Sequence, residues 1–225
     1  MITITALAVA VTLPTFRKGH TLDFGNTSDI ISALCNCVVA GAAIYAASNA
    51  KGWFSQKSHT RGHEKAEDIL SRIDVFYRAR NQTLSETYQL HEFIVKISNN
   101  IDNHENKPFS FYDEKLKHFM EQVSNIDKIS EDLDLMERWN ISVVNKKIIT
   151  DIIRHLRSFN VCASNTFNMA YICNRELNNK EIKEFESSFK LMKESYNEFA
   201  LGLHSVEFYY NKFKKVKFTD FFVIA

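Results

Sequence analysis

Apolar side chains recur at steps of three and four along most of this chain, the spacing that places them on one face of an α-helix. The first stripe is Ile69, Ile73, Phe76, Leu84, Leu90, Ile94, Ile97 and Ile101, which predicts a helix from about Ser58 to Asn103. Lys107-Pro108 ends it, because a residue before proline is pushed out of the α region. A second stripe is Leu116, Phe119, Val123, Ile126, Ile129, Leu133, Met136 and Trp139. Its helix is expected to open at Ser110, with Asp113 three residues on as capping partner. A third helix, from near Ser142, carries Ile149, Ile152, Leu156, Phe159, Ala163, Thr166, Ala170 and Cys173. The fourth follows Asn178-Asn179, with Glu181 as capping partner. It runs through Ile182, Phe185, Phe189, Met192, Tyr196, Phe199, Leu203, Val206, Tyr210 and Phe213. Connections this short force sequential helices to lie antiparallel. Heptad spacing favours left-handed packing.

A different pattern precedes this body. Residues Ile30 to Ala47 read IISALCNCVVAGAAIYAA, eighteen positions without a formal charge. That approaches the ~20 residues a membrane-spanning helix needs. Asp29 stands before it. Lys51, Trp53, Phe54, Lys57, Arg61 and Lys65 follow it. Aromatic rings beside cations suit the cytoplasmic interface, so the expected orientation is N-terminus out and body in. A buried helix of a soluble globule is the competing reading, since Ser32, Asn36 and many alanines dilute the apolar character. Residues 1–13 are also apolar. They are too short for a bilayer core and end at Pro14, which reads as an interfacial or locally packed segment.

The expected fold is all-α. One transmembrane helix at 29–50 follows an N-terminal segment at 1–28. An elongated antiparallel bundle of about four long helices occupies 51–217, with a junction weakened at Gly52 or Gly62, and an apolar tail follows at 218–225. Only two Pro and six Gly argue against a turn-rich β fold, and eighteen Phe supply large core side chains. A net charge of +1 gives no broad basic field, so no nucleic-acid partner is expected. In the spanning helix, Ala33, Cys37 and Gly41 recur at i, i+4 and i+8, a small-residue row that permits close helix approach. Asn36 beside that row needs a hydrogen-bond partner in hydrocarbon, and a second copy of the helix is the simplest one. The up-down topology returns the end of the fourth helix toward the anchor. Lys212, Lys214, Lys215 and Lys217 would then meet an anionic leaflet together with Trp53 and Phe54. Phe218, Phe221 and Phe222 either insert at the interface or pack on the bundle.

Candidate chemistry is sparse. His59 and His63, four apart, could share a metal, but no third ligand is evident, so a solvated segment is the better reading. Cys35 and Cys37 point in different directions on a helix. Cys162 and Cys173 would lie ~16 Å apart along the axis, too far for a disulfide. Phosphate-binding glycine loops, zinc-protease pairs and nucleophile elbows are absent from the sequence. No Arg is followed four to six residues later by His, the spacing of some helical ribonucleases. No cofactor is expected.

These features imply a non-enzymatic interaction or sensing module, single-pass in a cell inner membrane, with its helical body in the cytoplasm. Expected partners are the lipid bilayer, further copies of the chain and a protein the sequence does not specify. One alternative is an oligomerising, membrane-disrupting effector. Another is a helical hydrolase whose site is assembled from scattered residues.

Overall fold

A computed structural model describes residues 27–101 and 107–224. The apolar stretch 1–13 lies outside the described residues. The chain forms two units, Met1–Ser55 and Gln56–Ala225. Helix α1 spans Thr27–Asn99 and contributes to both. In the second unit it is joined by α2 (Phe109–Asp134), α3 (Lys146–Asn178) and α4 (Ile182–Phe213). Between α2 and α3 lie a 3-10 turn (Met136–Trp139) and strand β1 (Ile141–Val143). After α4 come a single helical turn, α5 (Phe218–Phe221), and strand β2 (Phe222–Ile224).

Cross-helix pairs give the topology of the second unit. Along α1 and α2, Arg72 meets Asp132, and Glu86 meets Lys115 at 2.9 Å. Along α1 and α4, Asp74 meets Tyr210, Arg80 meets Glu207, and His91 meets Tyr196. Along α3 and α4, the rings of His155 and Tyr209 stack at 4.0 Å, and Glu176 meets Ser188. On each pair one number rises as the other falls, so neighbours are antiparallel. The result is an up-down-up-down bundle with α1 and α3 on opposite corners. Heptad-spaced apolar faces dictate this arrangement, because each stripe must be covered on two sides. Aromatic rings fill its layers: Phe119 on Phe167 at 5.1 Å and Phe159 on Phe199 at 4.6 Å, all fully buried.

Several local expectations are corrected. Neither Gly52 nor Gly62 interrupts α1. Gly62 is instead a contact residue: a Cβ there would sit 2.8 Å from Ile141 Cδ1 and 3.0 Å from the Trp139 carbonyl oxygen. The 3-10 corner thus rests directly on the helix backbone. Gly62→Val is expected to cost ~1–3 kcal/mol by overpacking, read as a lower midpoint in denaturant melts. Helix α2 begins at Phe109, not Ser110, because Pro108 holds φ at −63° and feeds the chain straight into the first turn. Ser110 therefore lies within that turn. Helix α3 begins at Lys146, not near Ser142, because Ser142 is paired with Val223 in the antiparallel β1–β2 ladder. Glu181, not Asn178, precedes α4, and it makes no side-chain cap. The preceding helix closes as a Schellman motif, with Glu181 N–H donating to Glu176 O and Lys180 N–H to Leu177 O, while Lys180 adopts φ 60°. Ile182, expected in the core stripe, is 39% exposed, since it stands ahead of the first packed layer.

Of the two alternatives for the C-terminal tail, packing on the bundle is the one observed. Phe221 and Phe222 are buried, Phe221 lies 5.5 Å from Phe213, and the Phe221 carbonyl accepts from Val144 N–H. Phe218 meets the His63 ring at 4.6 Å. These contacts place the end of α4 and its lysines at the end of the bundle where residue 56 enters it.

Candidate functional site

Residues 31–53 of the first unit are all exposed. Within α1, Ile31–Trp53 is long and apolar enough to cross a membrane, and none of it is buried. At helical rise its length is ~35 Å, against a hydrocarbon thickness of ~30 Å. Val38 is 70% exposed and Ile44 72%. A contiguous apolar surface of this size is unfavourable in water. Ala33, Asn36, Cys37 and Gly41 are all exposed on this stretch. Among the described residues, nothing beyond its neighbours and its own helix backbone lies within 4 Å of where a Gly41 side chain would begin. Trp53 closes the span and is 55% exposed, while the Phe54 side chain lies outside the described residues.

The chain matches no known protein family, no curated protein and no solved structure.

The second unit supplies a charged counterpart. Lys214, Lys215 and Lys217 are exposed around the turn that ends α4, and the Lys212 ammonium lies 4.1 Å over the Phe208 ring. At the same end of the bundle, Arg61, Glu64, Lys65, Asp68 and Trp139 line an open groove of ~390 Å³. The four charged residues fall at i, i+3, i+4 and i+7, one helical face. Trp139 reaches that face because Gly62 admits the 3-10 corner. Among the described residues no group of three or more His, Cys, Asp or Glu is placed to hold an ion. His63 is engaged by Phe218 and lies 3.5 Å from Glu67.

A buried polar group at the opposite end of the bundle escaped sequence reasoning. Ser188 donates to Glu176 Oε1 at 3.1 Å, Asn174 donates to the Lys107 carbonyl at 3.1 Å, and Tyr112 and Cys173 are fully buried nearby. Burial, reinforced by Glu176, pushes the Cys173 thiol up to about 12, and burial raises Tyr112 as well. Both stay protonated near neutrality, which removes the thiolate that nucleophilic chemistry requires.

Two histidines on the flanks stack on tyrosine rings. His91 stacks on Tyr196 at 3.9 Å, and His155 stacks on Tyr209. Burial pulls His91 below 6.5 despite Glu92, with Lys193 adding to the shift; burial and Arg154 pull His155 down despite Asp151. The folded state therefore binds these protons less readily than the unfolded chain. Their contribution to stability is present above ~6.5 and lost as pH falls through the lower folded values. Thermal melts are expected to weaken as pH falls below ~6.5. Replacing both histidines with Phe should remove part of that drop.

Proposed function

We propose that this chain is a membrane-anchored helical bundle that acts as an interaction or sensing module at the cytoplasmic face of an inner membrane, without catalysing a reaction. The observation that carries the reading is the fully exposed apolar span Ile31–Trp53, attached to a unit with its own complete core. The orientation follows from charge. Asp29 lies before the span, and Lys51, Lys57, Arg61 and Lys65 follow it, a bias that retains the cationic flank in the cytoplasm. Lys212, Lys214, Lys215 and Lys217 would add attraction to an anionic leaflet, ~1 kcal/mol for each residue near the surface. The test is protease accessibility of a C-terminal epitope. The epitope should survive in intact spheroplasts and be cleaved in inverted vesicles; the reverse pattern rejects the orientation.

A second reading is an oligomeric, membrane-disrupting effector. It is favoured by the exposed amide of Asn36 beside the open Ala33, Cys37 and Gly41 row, since an intramembrane amide seeks a partner helix. Expression would then admit a membrane-impermeant dye, and Asn36→Leu or Gly41→Ile would abolish the entry. Intact cells together with a recoverable binding partner favour the module.

A further inference from the structure

We propose that α4 is the element of the bundle that acid loosens, because His91 of α1 and His155 of α3 hold it through ring stacks on Tyr196 and Tyr209. The inference lies within the second unit and does not depend on the membrane anchor. It names protons as the stimulus for a sensing module.

Three observations support it. First, both imidazoles are covered by the same helix. His91 lies flat on Tyr196, with ring centroids 3.9 Å apart and planes 13° from parallel. His155 lies flat on Tyr209, at 4.0 Å and 15°. One stack closes the α1–α4 seam and the other the α3–α4 seam. Helix α2, on the corner opposite α4, contributes neither ring. Second, the face of α4 that covers them brings cations. Lys193 acts on His91, and the Lys212 ammonium lies 5.5 Å from the Tyr209 ring. The histidines' own helices carry both signs. Tyr88 and Glu92 flank Tyr196 on α1, while Asp151 pairs with Arg154 beside His155 on α3. Third, Nδ1 of His91 is buried without a hydrogen-bond partner. The Glu92 carboxylate stands 3.6 Å off, beyond hydrogen-bond reach.

Protonation therefore sets His91 against Lys193, and adds a charge to His155 beside Arg154 on a ring that Lys212 already approaches. Burial lowers the proton affinity of both rings, and the nearby carboxylates do not reverse it. An imidazolium gains from water, and each ring regains water by parting from the tyrosine of α4 that covers it. Acid thus favours an opening of α4 over an opening of α2. The effect is absent above the ordinary histidine value of ~6.5 and grows as pH falls below it.

The test is amide hydrogen exchange of the full-length chain in maltoside micelles at about pH 7.5 and about pH 5, each rate scaled to the unstructured chain at that pH. The expected result is a loss of protection at the lower pH around Tyr196 and Tyr209, with α2 unchanged. His91→Phe should restore protection around Tyr196, and His155→Phe around Tyr209, since a phenyl ring keeps the stack and takes no proton. Equal loss in all four helices overturns the assignment to α4. So does an α4 that keeps its protection at the lower pH. A loss that neither variant reduces overturns the role of the histidines. Should a Phe variant fail to fold, Lys193→Gln takes its place, because Lys193 is exposed. It should lessen the loss around Tyr196 alone, and no change there overturns the proposal. Protease accessibility scores orientation separately, so either result stands without the other.

Discussion

Phe199→Ala is expected to remove ~3–5 kcal/mol from the stability of the bundle, the range for truncating a fully buried aromatic ring. Phe199 is wholly buried, stacks 4.6 Å from Phe159 across the α3–α4 seam and meets Tyr196 at 6.1 Å. Truncation leaves a cavity in the middle of that seam. The surrounding rings cannot close it, because each is already fixed by its own neighbours. A domain of this kind holds only ~5–15 kcal/mol in total, so the variant should melt many degrees lower or accumulate poorly. Leu201→Ala on the same helix is the control. Leu201 is 68% exposed, and its loss should change stability by no more than ~0.5 kcal/mol. Chemical denaturation of both variants, compared by midpoint, checks the pair.

The second large effect concerns the span. Val39→Arg combined with Ala43→Arg places two guanidinium groups on one face near the centre of Ile31–Trp53. Each charge at a helix centre opposes insertion by ~2.5–3.5 kcal/mol, so the pair adds ~5–7 kcal/mol. A span of only moderate apolarity cannot offset that. The wild-type chain should rise with vesicles in a density gradient, and the doubly substituted chain should remain at the bottom. Flotation is preferred to pelleting because aggregates also pellet. The same two changes on a helix packed in a soluble globule would leave fractionation unaltered.

Helical periodicity carried most of the body. Every stripe position named for α3, from Ile149 to Cys173, is buried, because a helix covered on two sides must repeat its apolar residues every turn. The antiparallel order also followed, since connections of a few residues permit little else. Features that depend on distant partners were not legible. Gly62 looks like a helix weak point from its local sequence. Its actual role is set by Ile141 and Trp139, nearly eighty residues away in sequence. Strands β1 and β2 span three residues each, too short to show a period, and Ile141 pairs with Ile224 at the far end of the chain. That pairing also accounts for the tail. In isolation Phe221 and Phe222 suit interfacial insertion and packing on the bundle equally; the ladder carries them onto the bundle, where both are buried. The charged face Arg61, Glu64, Lys65 and Asp68 is visible from spacing alone, but the arrival of Trp139 that makes it a groove is tertiary. The buried Tyr112, Cys173, Glu176 and Ser188 group likewise joins three helices, so no single segment announces it.

Residence of the small-residue apolar stretch of α1 in lipid is open to alkaline carbonate extraction of membranes from cells making the full-length chain. The chain should stay with the sedimented bilayer and be released only by detergent. Folded, full-length chain recovered in the carbonate supernatant would put the stretch outside the bilayer.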